Sequence, residues 1–146
     1  REYALRTDEA AKFAEKGLIR LAVDGIILYK GQLVLVQRAY EPFKGRFALP
    51  GGFIEPGEKT EEAVVREAYE ETGLKTAVKR LVGVYSDPHR DPRGHVVTAV
   101  YELKAAGGKL KKGDEVATVK LFPLRKVPRL AFDHSRIVKD YITNLS

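Results

Sequence analysis

Apolar and polar positions alternate through most of this chain, and two stretches break the alternation. Leu18 to Tyr29, "LIRLAVDGIILY", reads as a strand, and "KG" turns it into a second strand over Gln32 to Arg38. "AYEPFKGR" is polar and Gly/Pro-punctuated, a loop, and "FALP" is a short apolar strand ending at Pro50. "LKTAVKRLVGVYS" and "HVVTAVYELKA" predict two more strands joined by "DPHRDPRG". "AAGGKLKKGDE" is a loop, and "VATVKLFPL" is a last strand. The helical stretches lie elsewhere. Thr60 is a candidate N-cap, Glu61 and Glu62 suit the positive end of a helix dipole, and Gly73 suits its C-terminal stop. Asp133 to Leu145 reads as a closing helix, and Thr7 to Lys16 as an opening one. Strands, helix, strands and helix in that order imply helices packed on a mixed sheet, α/β or α+β.

Length and composition narrow the class. The 146 residues fit one domain, 1–146, with residues 1–17 as a helical extension. There is no Cys, which excludes a disulfide scaffold, a thiolate zinc site and a Cys nucleophile. No apolar run approaches the ~20 residues of a membrane span, and no signal peptide is visible, so a cytoplasmic protein without a membrane partner is expected. The net charge of +6 suits an anionic partner or solubility alone. The basic residues are scattered and not interleaved with aromatics, which argues against a nucleic-acid surface. No GxxxxGK[ST] or GxGxxG occurs.

Charge distribution alters the picture most. Glu55 to Glu71 holds seven Glu against Lys59 and Arg66, a net −5, so the remainder of the chain carries +11. At ~100° per residue, Glu67, Glu70 and Glu71 share an arc of about 100° on the predicted helix. By spacing, no cation falls among them on that arc. A solvated face would pair Arg66 with Glu62 and Glu70. A metal site would use the three acids as oxygen ligands for a hard divalent cation, Mg²⁺ or Mn²⁺.

The stretch Gly52, five residues, Glu58, seven residues, Arg66-Glu67, then Glu70-Glu71, one residue, Gly73-Leu74 resembles the signature of the Nudix hydrolases. Ala68 departs from it, standing where the family usually places a larger aliphatic residue. The resemblance implies an α/β/α sandwich and hydrolysis of a diphosphate linked to another moiety. It implies Glu67 and Glu71 as principal metal ligands, Glu70 with them directly or through water, and the Gly51 carbonyl as a backbone ligand. It further implies Glu58 in the outer shell and Arg66 as the residue that orients the carboxylates.

"PFKGRFALPGGFIEPGE", "YSDPHRDPRGHVVTAVYEL" and "LAFDHSRIVKDY" resemble the short ADP-ribose pyrophosphatases of that family. The implied reaction is ADP-ribose plus water giving AMP and ribose 5-phosphate. The implied base, or further ligand, is an acid in a loop after the signature helix, and both Asp114 and Glu115 qualify. Arg38, Arg46, Arg90 and Arg93 are candidate phosphate partners. Phe43, Phe47 and Tyr85 are candidate stacking partners for adenine, against an ordinary place in the core. His89 and His95 add charge to the Asp-Pro loop, which is either a substrate contact or a plain charged hairpin. A homodimer follows from the resemblance alone. Other readings are a Nudix hydrolase of a nucleoside triphosphate, dinucleoside polyphosphate or nucleotide sugar, and a non-catalytic sensor of ADP-ribose.

Overall fold

The computed structural model describes residues 17–145. The predicted helix over Thr7 to Lys16 lies outside them. Seven strands and two α-helices follow among the described residues: β1 Arg20–Tyr29, β2 Gln32–Arg38, β3 Phe47–Ala48, β4 Gly51–Phe53, α1 Thr60–Thr72, β5 Leu74–Tyr85, β6 Val96–Gly108, β7 Val116–Phe122 and α2 His134–Thr143, with a 3-10 turn at Leu124–Lys126 before α2.

The sheet is mixed, in the order β3-β2-β1-β6-β5, with β4 added to β1 and β7 to β2. Its centre is a parallel pair, β1 against β6, from Arg20↔Val96 to Ile27↔Leu103. The other pairings are antiparallel. Period-two alternation sends successive side chains to opposite faces. Val23, Ile27 and Val34 join Val64, Ala68 and Leu103 under α1. Ile26, Leu33 and Leu35 join Ile137, Val138 and Tyr141 under α2. The result is an α/β/α sandwich.

Several elements differ from the sequence expectation, each for a local reason. The N-cap of α1 is Lys59, whose N–H donates to Glu62 Oε1 at 2.9 Å. Thr60 bonds across the fold instead. Its hydroxyl hydrogen-bonds Tyr101 at 2.6 Å, tying the helix start to β6. Asp133 caps α2 by position only, because its carboxylate takes the Arg90 guanidinium at 2.6 and 2.9 Å. β4 was not expected, since Gly-Gly carries no strand propensity; its pairing with β1 imposes the extended form. β6 runs on to Gly108, into the stretch expected to be loop.

Candidate active site

The acid wall comes from α1 and β4. The bonds Ile54 N–H to Leu21 O (3.0 Å) and Gly25 N–H to Pro50 O (2.8 Å) set the phase of the β1–β4 ladder. Asp24 and Gly51 then form a non-hydrogen-bonded pair, which leaves the polar atoms of Gly51 outside the ladder. Its N–H donates to Glu71 Oε1 at 3.1 Å. The next residue is equally constrained, because a Cβ on Gly52 would run into the Glu67 carboxylate. A Cβ on Gly51 would strike the Val23 carbonyl and Asp24, so Gly51 is needed against β1 and Gly52 against Glu67.

Arg66 gathers these acids from behind. Its Nε and Nη2 donate to Glu58 at 2.6 and 3.0 Å, and Nη1 lies 3.2 Å from both Glu67 and Glu70. By position no cation falls on the acidic arc, yet the Arg66 side chain lies along the helix surface and reaches it, making the i,i+4 pair with Glu70 that the solvated-face reading expects. Bonding to Glu58 holds its guanidinium pKa above the usual value. Glu71 stands apart. Burial pushes its carboxyl well above the ordinary range, Glu67 pushes it further, and the Gly51 N–H opposes both.

A divalent cation suits this donor set. Glu71 is held by a single backbone N–H, and beside it Glu67 adds like charge. Among the described residues no three His, Cys, Asp or Glu side chains form a ready-made ligand group. In this arrangement Glu67 and Glu70 are turned to Arg66.

Cations line this cleft as well. Arg38 and Arg93 line the same cleft as Glu67, Glu70 and Glu71. Burial, then the charge of Arg93, lowers the Arg38 pKa to about 10. Arg38 Nε donates to Pro42 O at 2.6 Å. Arg93 is braced by buried Asp91 at 2.9 and 3.1 Å. Arg90 also lines the cleft, with its donors committed to Asp133 and, at 3.4 Å, to Val96 O.

Other expected residues are placed elsewhere. Glu115 lines the cleft, and Asp114 does not. The loop that carries them is fixed to the end of α1, where Lys111 N–H donates to Thr72 O (2.8 Å) and Gly113 N–H to Glu71 O (3.3 Å). These bonds satisfy helix carbonyls that have no partner within α1. Arg46 is exposed, and its guanidinium lies 5.8 Å from the Phe43 ring centre. Phe43 sits one layer behind the cleft, edge-on to Phe132 at 5.0 Å. Phe47 and Tyr85 pack in the α2-side core. His95 hydrogen-bonds Ser86 O at 3.0 Å.

Asp24, His134 and Phe132 are among the cleft residues to which the sequence assigned no role. Asp24 accepts the Thr98 hydroxyl at 2.6 Å, and burial raises its pKa. Burial lowers that of His134, whose Nδ1 accepts the Leu49 N–H at 3.0 Å, so Nε2 carries the proton 3.7 Å from Asp24. An acid inside "LAVDGIIL" was a readable signal. His134 and Phe132 lie in "LAFDHSRIVKDY", which the resemblance singled out, but their role was not readable, since only the fold brings them back to β1.

The α/β/α sandwich brings a carboxylate helix and two guanidinia to one cleft, the site of an enzyme acting on a charged ligand in the family its sequence matches. The NUDIX domain model matches residues 18–141, and the chain belongs to the Nudix family. It is 57% identical over 122 residues to the ADP-ribose pyrophosphatase of Methanocaldococcus jannaschii, an alignment covering 84% of this chain and 72% of that protein. The Nudix domain of Shewanella oneidensis NrtR, solved with ADP ribose, superposes with a TM-score of 0.78 at 28% identity, over 98% of this chain and 100% of that one. A bifunctional NMN adenylyltransferase/ADP ribose pyrophosphatase from Francisella tularensis shares the fold with a TM-score of 0.83 at 23% identity. That match covers 96% of this chain and 46% of the larger one.

Proposed function

We propose that this Nudix hydrolase cleaves ADP-ribose with water to AMP and ribose 5-phosphate, in a Mg²⁺-dependent reaction. The observation that carries the reading is one cleft lined both by Glu67, Glu70 and Glu71 and by Arg38 and Arg93. A diphosphate needs both, cations toward its oxygens and carboxylates to hold the divalent ion it travels with. The 57% identity to an ADP-ribose pyrophosphatase supports the choice of diphosphate.

In this reading Glu67 and Glu71 hold Mg²⁺, or Mn²⁺ in its place, with Glu70 and the Gly51 carbonyl beside them. The ion supplies charge neutralisation and a more acidic water. Glu58 acts through Arg66, which keeps Glu67 and Glu70 on the cleft side of the helix. Arg38 and Arg93 grip phosphoryl oxygens. Of the two candidate bases, Glu115 is favoured because it faces the cleft. It takes the proton as water oxygen bonds to phosphorus, and the bridging P–O bond breaks toward the departing phosphate. Arg90 serves indirectly, fixing Asp133 and the turn that carries Phe132.

The test is turnover of ADP-ribose, nucleoside triphosphates, a dinucleoside polyphosphate and a nucleotide sugar in Mg²⁺, with product analysis in ¹⁸O water. ADP-ribose should be the preferred substrate. Triphosphate hydrolysis without ADP-ribose turnover would overturn the reading. The homodimer expected from the family resemblance is checked by sedimentation of the full chain.

A further inference from the structure

Two guanidinia share one phenyl ring at the cleft. The Arg38 carbon Cζ lies 4.9 Å from the Phe132 ring centre and that of Arg93 lies 5.4 Å from it. Each contact is attractive through the ring quadrupole, yet the two like charges repel. Asp91 offsets the charge of Arg93. Among the described residues, no carboxylate lies within ion-pair distance of Arg38, whose hydrogen bond goes to a carbonyl.

The backbone shows how firmly this ring is held. Phe132 has φ +54°, and Phe43, whose ring meets it edge-on, has φ +62°. Among the described residues only Lys30 joins them as a non-glycine at positive φ. A bulky aromatic there is strained, and strain persists where surrounding bonds over-determine it. Here they do. Leu130 N–H donates to Ser135 Oγ at 2.9 Å, Ala131 N–H to Phe47 O at 2.8 Å and His134 N–H to Ala131 O at 3.0 Å.

We propose that Phe132 is a positioning residue: it spaces Arg38 and Arg93 so that together they grip two linked phosphoryl groups rather than one. The inference rests on the diphosphate reading of the cleft. A ring seated under both guanidinia fixes their separation, and Phe43 behind it prevents the ring from retreating. A single phosphate engages either arginine alone and is indifferent to their spacing. A diphosphate needs both at once.

The experiment measures binding of inorganic pyrophosphate and of inorganic phosphate by calorimetry in Mg²⁺ buffer, together with ADP-ribose kinetics. Phe132→Leu should weaken pyrophosphate binding roughly five- to tenfold and change phosphate binding by less than about twofold. The KM for ADP-ribose should rise in parallel, with kcat within about twofold. Phe132→Tyr keeps the ring and should restore both. Phe132→Gly adopts the same φ without strain, so it should stay folded and lose pyrophosphate affinity as the leucine variant does. Equal losses for phosphate and pyrophosphate, no loss at all, or failure of the tyrosine variant to restore binding overturns the proposal. If the wild-type chain does not turn over ADP-ribose but the pyrophosphate selectivity behaves as described, the substrate reading fails and the ring's role stands.

Discussion

At the scale of single residues, Glu71 carries the strongest tension. Its carboxyl titrates well above its ordinary 4.5 because of burial and Glu67. A raised acid pKa stabilises the fold below the unfolded value, and that contribution is lost as pH rises through the folded one. Burying Glu71 as a carboxylate without a divalent ion is thus a cost to the fold. Glu71→Gln should raise the melting temperature in chelator by about 2–4 °C. It should also abolish the increase expected from Mg²⁺ in the wild type and lower hydrolysis by at least roughly a hundredfold. Glu67→Gln should diminish the same Mg²⁺ increase, read by calorimetry. An unchanged response to Mg²⁺ in both variants would remove the case for a metal at these acids. The placement of Glu67, Glu70 and Glu71 on one face was legible because helical periodicity is a local property. The pair of Arg66 with Glu70 was legible as an i,i+4 spacing; its reach to Glu67 was not, because a side-chain rotamer leaves no trace in spacing. Asp24, His134 and Phe132 meet only through tertiary structure, across more than a hundred residues.

At the scale of elements, the junction of α1 with the loop before β7 decides where Glu115 stands. That loop closes on the last carbonyls of α1, and a Cβ at Gly113 would strike the backbone of Glu70. Gly113→Ala should therefore push the loop off the helix end. The expected result is a melting temperature lower by several degrees, on the order of 1–3 kcal/mol of stability, with kcat reduced more than KM is raised. Full activity with a lowered melting temperature would show that the loop serves stability alone. The strand set was largely legible, from alternation and from turn residues. β4 was not, because two glycines give no side-chain pattern and their extended form is dictated by β1 and by the acids they approach. The N-cap of α1 was misplaced by one residue. Thr60 has the right chemistry for a cap, but Tyr101 claims its hydroxyl, and no local rule anticipates a partner 41 positions away.

For the whole molecule, the excess of positive charge outside α1 acts at a distance. A net charge of +6 on a chain whose cleft is lined by Arg38, Arg90 and Arg93 raises the encounter rate with polyanions. Raising salt from about 50 to 500 mM shortens the screening length from roughly 14 to 4 Å, so kcat/KM should fall several-fold while kcat holds nearly steady. A salt-independent kcat/KM would mean that the charge serves solubility instead. The central strand pair has a consequence of another kind. β1 lies parallel to β6, so Arg20 must meet Val96 before the sheet is whole. Nearly the entire acid wall and the Asp-Pro loop lie on the chain between those two residues. Closing so long a loop is entropically costly and slow, and local hairpins cannot substitute for it. A nascent chain still threading from the ribosome therefore presents Glu67, Glu70 and Glu71 on a helix with no cleft to line. Catalytic competence arrives late in the folding history and all at once, when the middle of the sheet zips shut.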